Sequence, residues 1–119
     1  MQFICYPRCS TCMKAKKWLD GHGISYEERY IHEKNPTYEE LADWQKRSGL
    51  PLRKFFNTSG QRYKALGLKD KLGAMSEEEI LRLLASDGML VKRPILVDET
   101  CVLVGFKEAD WEQSLGVDK

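Results

Sequence analysis

Cys9 and Cys12, separated by Ser10 and Thr11, are the residues of this sequence whose type and spacing could do chemistry. They follow a short apolar run, Phe3-Ile4-Cys5-Tyr6, and the pair Pro7-Arg8. An apolar run of strand length, a proline and then helical spacing read as a strand, a tight turn and a helix N-terminus. A cysteine attacks as its thiolate, and an unassisted thiol ionises only at about pH 8.5. If the helix begins at or just after Cys9, the free backbone N–H groups of Ser10, Thr11 and Cys12 face its sulfur, and the positive end of the helix dipole adds to them. Arg8 adds a positive charge. Cys12 lies about one turn further along the same face, where it can attack a sulfur adduct formed on Cys9. The spacing therefore suits a nucleophile, Cys9, followed by a resolving thiol, Cys12.

The other cysteines invite plainer readings. Cys5, inside the apolar run, reads as a small core residue, and Cys101 reads the same way. Cys12 could equally be buried against the sheet without redox work. Cys5, Cys9 and Cys12 have the three-cysteine spacing of radical cluster enzymes, and with Cys101 they can be drawn as a four-thiolate zinc or iron–sulfur site. A chain of 119 residues is too short for the barrel of a radical enzyme. A strand residue such as Cys5 would also point away from a loop-held metal, so no metal site is expected.

At 119 residues and 42% hydrophobic, the sequence reads as one domain over 1–119, with room for one site. Nineteen basic and 18 acidic residues leave a net charge of +1, which gives no field favouring direct nucleic-acid binding. No run approaches the roughly 20 apolar residues needed to cross a bilayer, and the sequence opens on a strand-like run instead of a signal peptide. A cytoplasmic protein without a membrane partner is expected. In that reducing compartment four cysteines are catalytic, redox-sensing or buried sooner than structural disulfides.

The elements that must position the thiols follow from the patterning. Cys12, Ala15, Trp18 and Leu19 mark the apolar face of the first helix, which Asp20-Gly21-His22-Gly23 ends; Lys14, Lys16 and Lys17 fall mostly outside that face. Ile24 to Ile31 alternates as a second strand, parallel to the first through a right-handed crossover. His32 and His22 read as loop residues. Thr37 and Glu40 form a capping box for a helix running to about Ser48-Gly49. Leu50 to Leu68 reads as short helices around the turn Asn57-Thr58-Ser59-Gly60. Six basic residues between 53 and 71 face only Asp70 in charge, and an anion-facing role for Arg53 or Arg62 stays open. Ser76 and Glu79 form a second box, with Ile80, Leu83 and Leu84 as the buried face and Asp87-Gly88 as the stop. In the stretch Val91 to Gly105, two β-branched runs separated by Asp98-Glu99-Thr100 read as a hairpin, with Pro94 at the first position of its strand and an Arg93-Pro94 peptide with the character of a cis bond. A helix from Lys107 to Leu115 closes the chain. The expected fold is α/β and thioredoxin-like, of glutaredoxin type: a mixed four-stranded sheet with a helical insertion, about 36–88, between strands 2 and 3.

Two motifs in this order, Tyr6-Pro7-Arg8-Cys9-Ser10-Thr11-Cys12 and Lys92-Arg93-Pro94-Ile95-Leu96-Val97 with Val104-Gly105, resemble the arsenate reductase (ArsC) and Spx family over nearly the whole chain. The resemblance to glutaredoxin-coupled arsenate reductases implies a cytosolic thiol-disulfide oxidoreductase. In it Cys9 attacks, Cys12 resolves, and glutathione or a thioredoxin or glutaredoxin system supplies electrons, with no bound cofactor. Arg93 matches one of the arginines that hold the oxyanion there; the places of the other two fall near Asn57 and near Phe106-Lys107. Arg8, Ser10, Thr11 and Pro94 are the expected substrate-binding residues. The resemblance to Spx-type regulators implies instead a redox switch at Cys9 and Cys12 that binds the RNA polymerase alpha subunit, with Gly49 in the place of the partner-binding glycine.

Overall fold

A computed structural model of the chain describes residues 1–116. Strand β1 (Gln2–Cys5) leads through a turn into helix α1 (Ser10–Gly21), and β2 (Glu27–Tyr30) follows. The insertion holds α2 (Tyr38–Ser48), a 3-10 turn (Leu52–Phe55), α3 (Gln61–Ala65), α4 (Leu68–Lys71) and α5 (Glu77–Ser86). Strands β3 (Ile95–Val97) and β4 (Val102–Val104) and helix α6 (Glu108–Leu115) complete the fold. The sheet order is β2-β1-β3-β4, with β1 parallel to β2 and antiparallel to β3, and β3 antiparallel to β4. This is the mixed four-stranded sheet of a thioredoxin-like domain, with the helical insertion between β2 and β3. No described helix is long and apolar enough to cross a membrane.

Period-two alternation along the central strands divides the core. Phe3 and Cys5 of β1 and Leu96 of β3 point to one face, where Cys12, Ala15 and Leu19 of α1 and Trp111 of α6 cover them. Ile4 and Ile95 point to the other, against Leu41 and Trp44 of α2, Phe55 and Phe56 at the end of the 3-10 turn, and Leu84 of α5. The thiol pair thus belongs to the smaller, α1/α6 layer, and the insertion builds the larger one.

The local signals explain most boundaries. Both capping boxes are formed, Thr37 with Glu40 and Ser76 with Glu79, each satisfying two orphan N-terminal donors. Helix α2 ends at Gly49, whose φ of 71° is the left-handed region that lacks a Cβ penalty only for glycine. The Arg93–Pro94 bond is cis.

Three expectations change. Strand β2 is only Glu27–Tyr30, not Ile24 to Ile31, because it is an edge strand held by β1 alone; its residues are mostly exposed while Ile31 beyond it is fully buried. On α5 the buried residues are Ile80, Leu81 and Leu84, and Leu83 is half-buried, since α5 packs on both α2 and the 3-10 turn. Cys101 is half-buried in the turn between β3 and β4 instead of in the core.

Candidate functional site

The turn that presents Cys9 is closed by its own backbone. The Cys9 N–H donates to Tyr6 O at 3.0 Å across Pro7-Arg8, and Cys9 O accepts the first helical bond from Met13 N–H at 3.1 Å. Cys9 is therefore the N-cap of α1, with extended φ and ψ of −92° and 119°. Its sulfur makes no formed cap hydrogen bond, and no acidic residue occupies the first turn of α1. The dipole and the free amides there are left to act on the thiol.

Burial works against ionising Cys9, but the Cys12 amide, the Cys12 thiol, the positive charge of Arg93 and the Thr11 amide together outweigh it and hold its pKa below the ordinary value. Cys12, only 2% exposed, goes the other way: burial pushes its thiol up to about 12, even though Tyr6 N–H points at its sulfur from 3.5 Å. The two thiols thus have opposite protonation preferences. Cys5, behind them in the core, is also pushed up, to about 11, first by burial and then by Glu28.

Arg93 supplies the charge that tells on Cys9. Its guanidinium lies 5.0 Å from the Tyr6 ring centroid, a cation–π distance, and Nη1 donates to Val91 O at 3.4 Å. Its Nε is buried and has no hydrogen-bond partner among the described residues. A buried donor without a partner is costly.

A cleft of about 470 Å³ is lined by Arg8, Cys9, Ser10 and Thr11 from the α1 turn, Asn57 and Ser59 from the insertion, and Lys92, Arg93 and Gly105 to Lys107 from the hairpin ends. Four cationic side chains, Arg8, Lys92, Arg93 and Lys107, line it and no carboxylate does. The lining is cationic and polar around a thiol favoured as thiolate.

Most of the expected residues come together here. Asn57, Phe106 and Lys107 occupy the cleft where the sequence placed the two unmatched arginines. Arg53 and Arg62 do not reach it: Arg53 is exposed elsewhere, and Arg62 pairs with Asp87 at 3.0 Å. Two corrections apply. Arg8 lines the cleft but is exposed, and Arg93, not Arg8, is the cation acting on Cys9, because only Arg93 is held against the floor by Tyr6. Pro94 is buried with its carbonyl taken by Gly105 N–H at 2.8 Å, so it shapes the wall without lining it. Ser59 was not foreseen, and Lys92 and Gly105, though part of the second motif, were not assigned to the cleft; Lys92 had a signal in its place directly before Arg93. No cluster of three or more potential metal ligands is found among the described residues.

A thiol beside a polar cleft at the first strand-to-helix turn of a mixed four-stranded sheet defines a class of cysteine-bearing thioredoxin-like folds. The chain belongs to the ArsC family, whose model matches residues 5–114. A solved structure from Bacteroides fragilis, described as an ArsC family related protein, is 57% identical with a TM-score of 0.93, covering 95% of each chain. A second, from Streptococcus mutans UA159 and described as a possible arsenate reductase, is 47% identical with a TM-score of 0.85, over 93% of this chain and 96% of that one. The regulatory protein MgsR of Bacillus subtilis is 33% identical over 92% of this chain and 86% of its own length.

Proposed function

We propose that the protein is a thiol-dependent reductase of negatively charged disulfides, with Cys9 as nucleophile and Cys12 as resolving thiol. The observation that carries this reading is a thiol favoured as thiolate, lining a cleft with four cations and no carboxylate, together with a buried neutral thiol three residues on in the same helix. The Cys9 thiolate attacks one sulfur of the substrate disulfide; that S–S bond breaks and the other sulfur leaves with the electron pair. Cys12 then attacks the Cys9 sulfur, its proton goes to the departing substrate thiolate, and a Cys9–Cys12 disulfide remains. Two equivalents of a glutathione-class thiol, or one dithiol of a small redoxin, restore it.

Arsenate fits this cleft less well. Bidentate oxyanion recognition needs guanidinium forks, and here Asn57 and Lys107 stand where such forks would be. Turnover of oxidised glutathione and of arsenate, each with a dithiol donor, tests the preference. A larger kcat/KM for the disulfide is expected; an equal or larger value for arsenate overturns it.

The 33% identity to a protein named as regulatory favours a second reading. In it the same Cys9–Cys12 disulfide switches a surface that binds the RNA polymerase alpha subunit. Binding measured against that subunit's C-terminal domain, oxidised and reduced, decides it: no binding in either state removes this reading.

A further inference from the structure

The two edges of the sheet are finished differently. β2 carries Glu27, Glu28 and Arg29 along its outer edge, the charged residues that discourage a foreign strand. β4 is Val102-Leu103-Val104, with no charge and no proline.

The register shows which of its backbone groups are free. Gly105 N–H donates to Pro94 O at 2.8 Å and Asp98 N–H to Cys101 O at 2.9 Å, so these pairs and Leu96–Leu103 between them face one another across the ladder. In an antiparallel pair the intervening residues turn N–H and C=O outward. Val102 and Val104 do so, about 7 Å apart, and neither makes an outward hydrogen bond among the described residues. This edge floors a groove of about 480 Å³, walled on one side by Leu50, Lys54 and Phe56 of the insertion and on the other by Trp111 and Gln113 of α6. At one end it opens into the thiol cleft, with which it shares Lys92, Val104 and Lys107.

We propose that the groove is a docking slot for an extended, acidic, cysteine-bearing segment of a protein substrate, which pairs with the outer edge of β4 and presents its disulfide to Cys9. The proposal rests on the thiol reading above and names its substrate as a protein disulfide. The outward N–H and C=O groups of Val102 and Val104 match the two-residue repeat of an extended chain, and the walls take its alternate side chains. Lys54, Lys92 and Lys107 against Asp110 select acidic residues, and the shared end of the groove sets the direction of the chain towards the sulfur. The electron balance is that of the exchange already given: one substrate S–S bond is reduced to two thiols while Cys9 and Cys12 are oxidised to a disulfide.

The test uses a short peptide alternating Val or Thr with Glu and carrying one cysteine as its thiopyridyl disulfide. Its comparators are the same peptide N-methylated at alternate residues, a Lys-for-Glu version, and dithiodipyridine as a small disulfide. Amide NMR of the protein with the cysteine-to-serine peptide reads docking, and thiopyridone release reads reaction with Cys9. Shifts at the Val102 and Val104 amides are expected, with reaction about tenfold faster than for the N-methylated or basic peptide. Lys54→Glu, an exposed wall residue of the groove that does not line the thiol cleft, should reduce that advantage and leave the dithiodipyridine rate unchanged. Equal rates for all peptides and unmoved amides, with dithiodipyridine still reactive, would overturn the slot and leave the thiol reading intact. A Cys9 inert to every disulfide would overturn the thiol reading and this substrate with it, whatever the amides do. Shifts of the same amides with protein concentration alone would assign the edge to a second copy of the chain and overturn the proposal.

Discussion

Helices α1 and α5 begin in opposite ways. At α5, Ser76 accepts from Glu79 N–H at 3.2 Å, the Glu79 carboxylate accepts from Ser76 N–H at 3.0 Å, and Glu77 and Glu78 add negative charge in the first turn. The orphan donors and the dipole are consumed locally, and the Glu79 carboxyl is held below its usual range by the Ser76 amide and hydroxyl. At α1 the N-cap is a cysteine without a formed cap bond, the first turn has no acid, and the same physics falls on a sulfur. A helix start can secure the fold or activate a thiol, and this chain separates the two tasks between layers on opposite faces of the sheet.

The sharpest way to break the contrast is to remove the sulfur. Cys9→Ser should lower disulfide exchange about a thousandfold or more, while thermal unfolding changes little. Next is the cation. Arg93→Met should slow alkylation of Cys9 at neutral pH about three- to tenfold and Arg93→Lys should restore part of it, read as the pH profile of the rate. The sign follows from the lowered pKa: reactivity is held above the folded-state value of Cys9 and lost as pH falls through it, and Arg93→Met moves that loss towards higher pH. The stability linked to Cys9 ionisation has the same sense, present above the unfolded thiol value and lost in the same direction. Thr11→Glu gives α1 the acidic first turn of α5, and about two- to fivefold slower alkylation is expected from a charge–dipole term of about 0.3–1 kcal/mol. The smallest effect on the thiol belongs to Ser76→Ala. It should cost about 1 kcal/mol in denaturant unfolding and leave the Cys9 profile where it was.

Helix starts were also the most legible parts of the sequence, because cap chemistry is local: Thr37 with Glu40 at α2 and Ser76 with Glu79 at α5 declare themselves three residues apart. The same holds for Cys9 and Cys12. What the residues could not declare alone depends on chain segments distant in sequence. The length of β2 is set by having β1 as its one neighbour. The exchange of Leu81 for Leu83 on α5 is set by what the insertion packs there. Arg93 was named through a family likeness, but its seat over Tyr6 joins residues 87 apart in number, and no periodicity reports that. Lys92, Ser59 and Gly105 reach the cleft by the same kind of convergence.

The buried hydrogen bond from Trp111 Nε1 to Gly105 O, at 3.1 Å, ties α6 to the wall of the cleft. Trp111 also lies 5.9 Å from Trp18, on the helix that begins at Cys9. The two indoles form an excitonic pair, one fixed to the thiol helix and the other to the opposing loop. The protein therefore carries an intrinsic optical gauge: any change in how that loop sits over Cys9 alters the coupling of their transitions, readable by near-ultraviolet dichroism and emission without an attached dye.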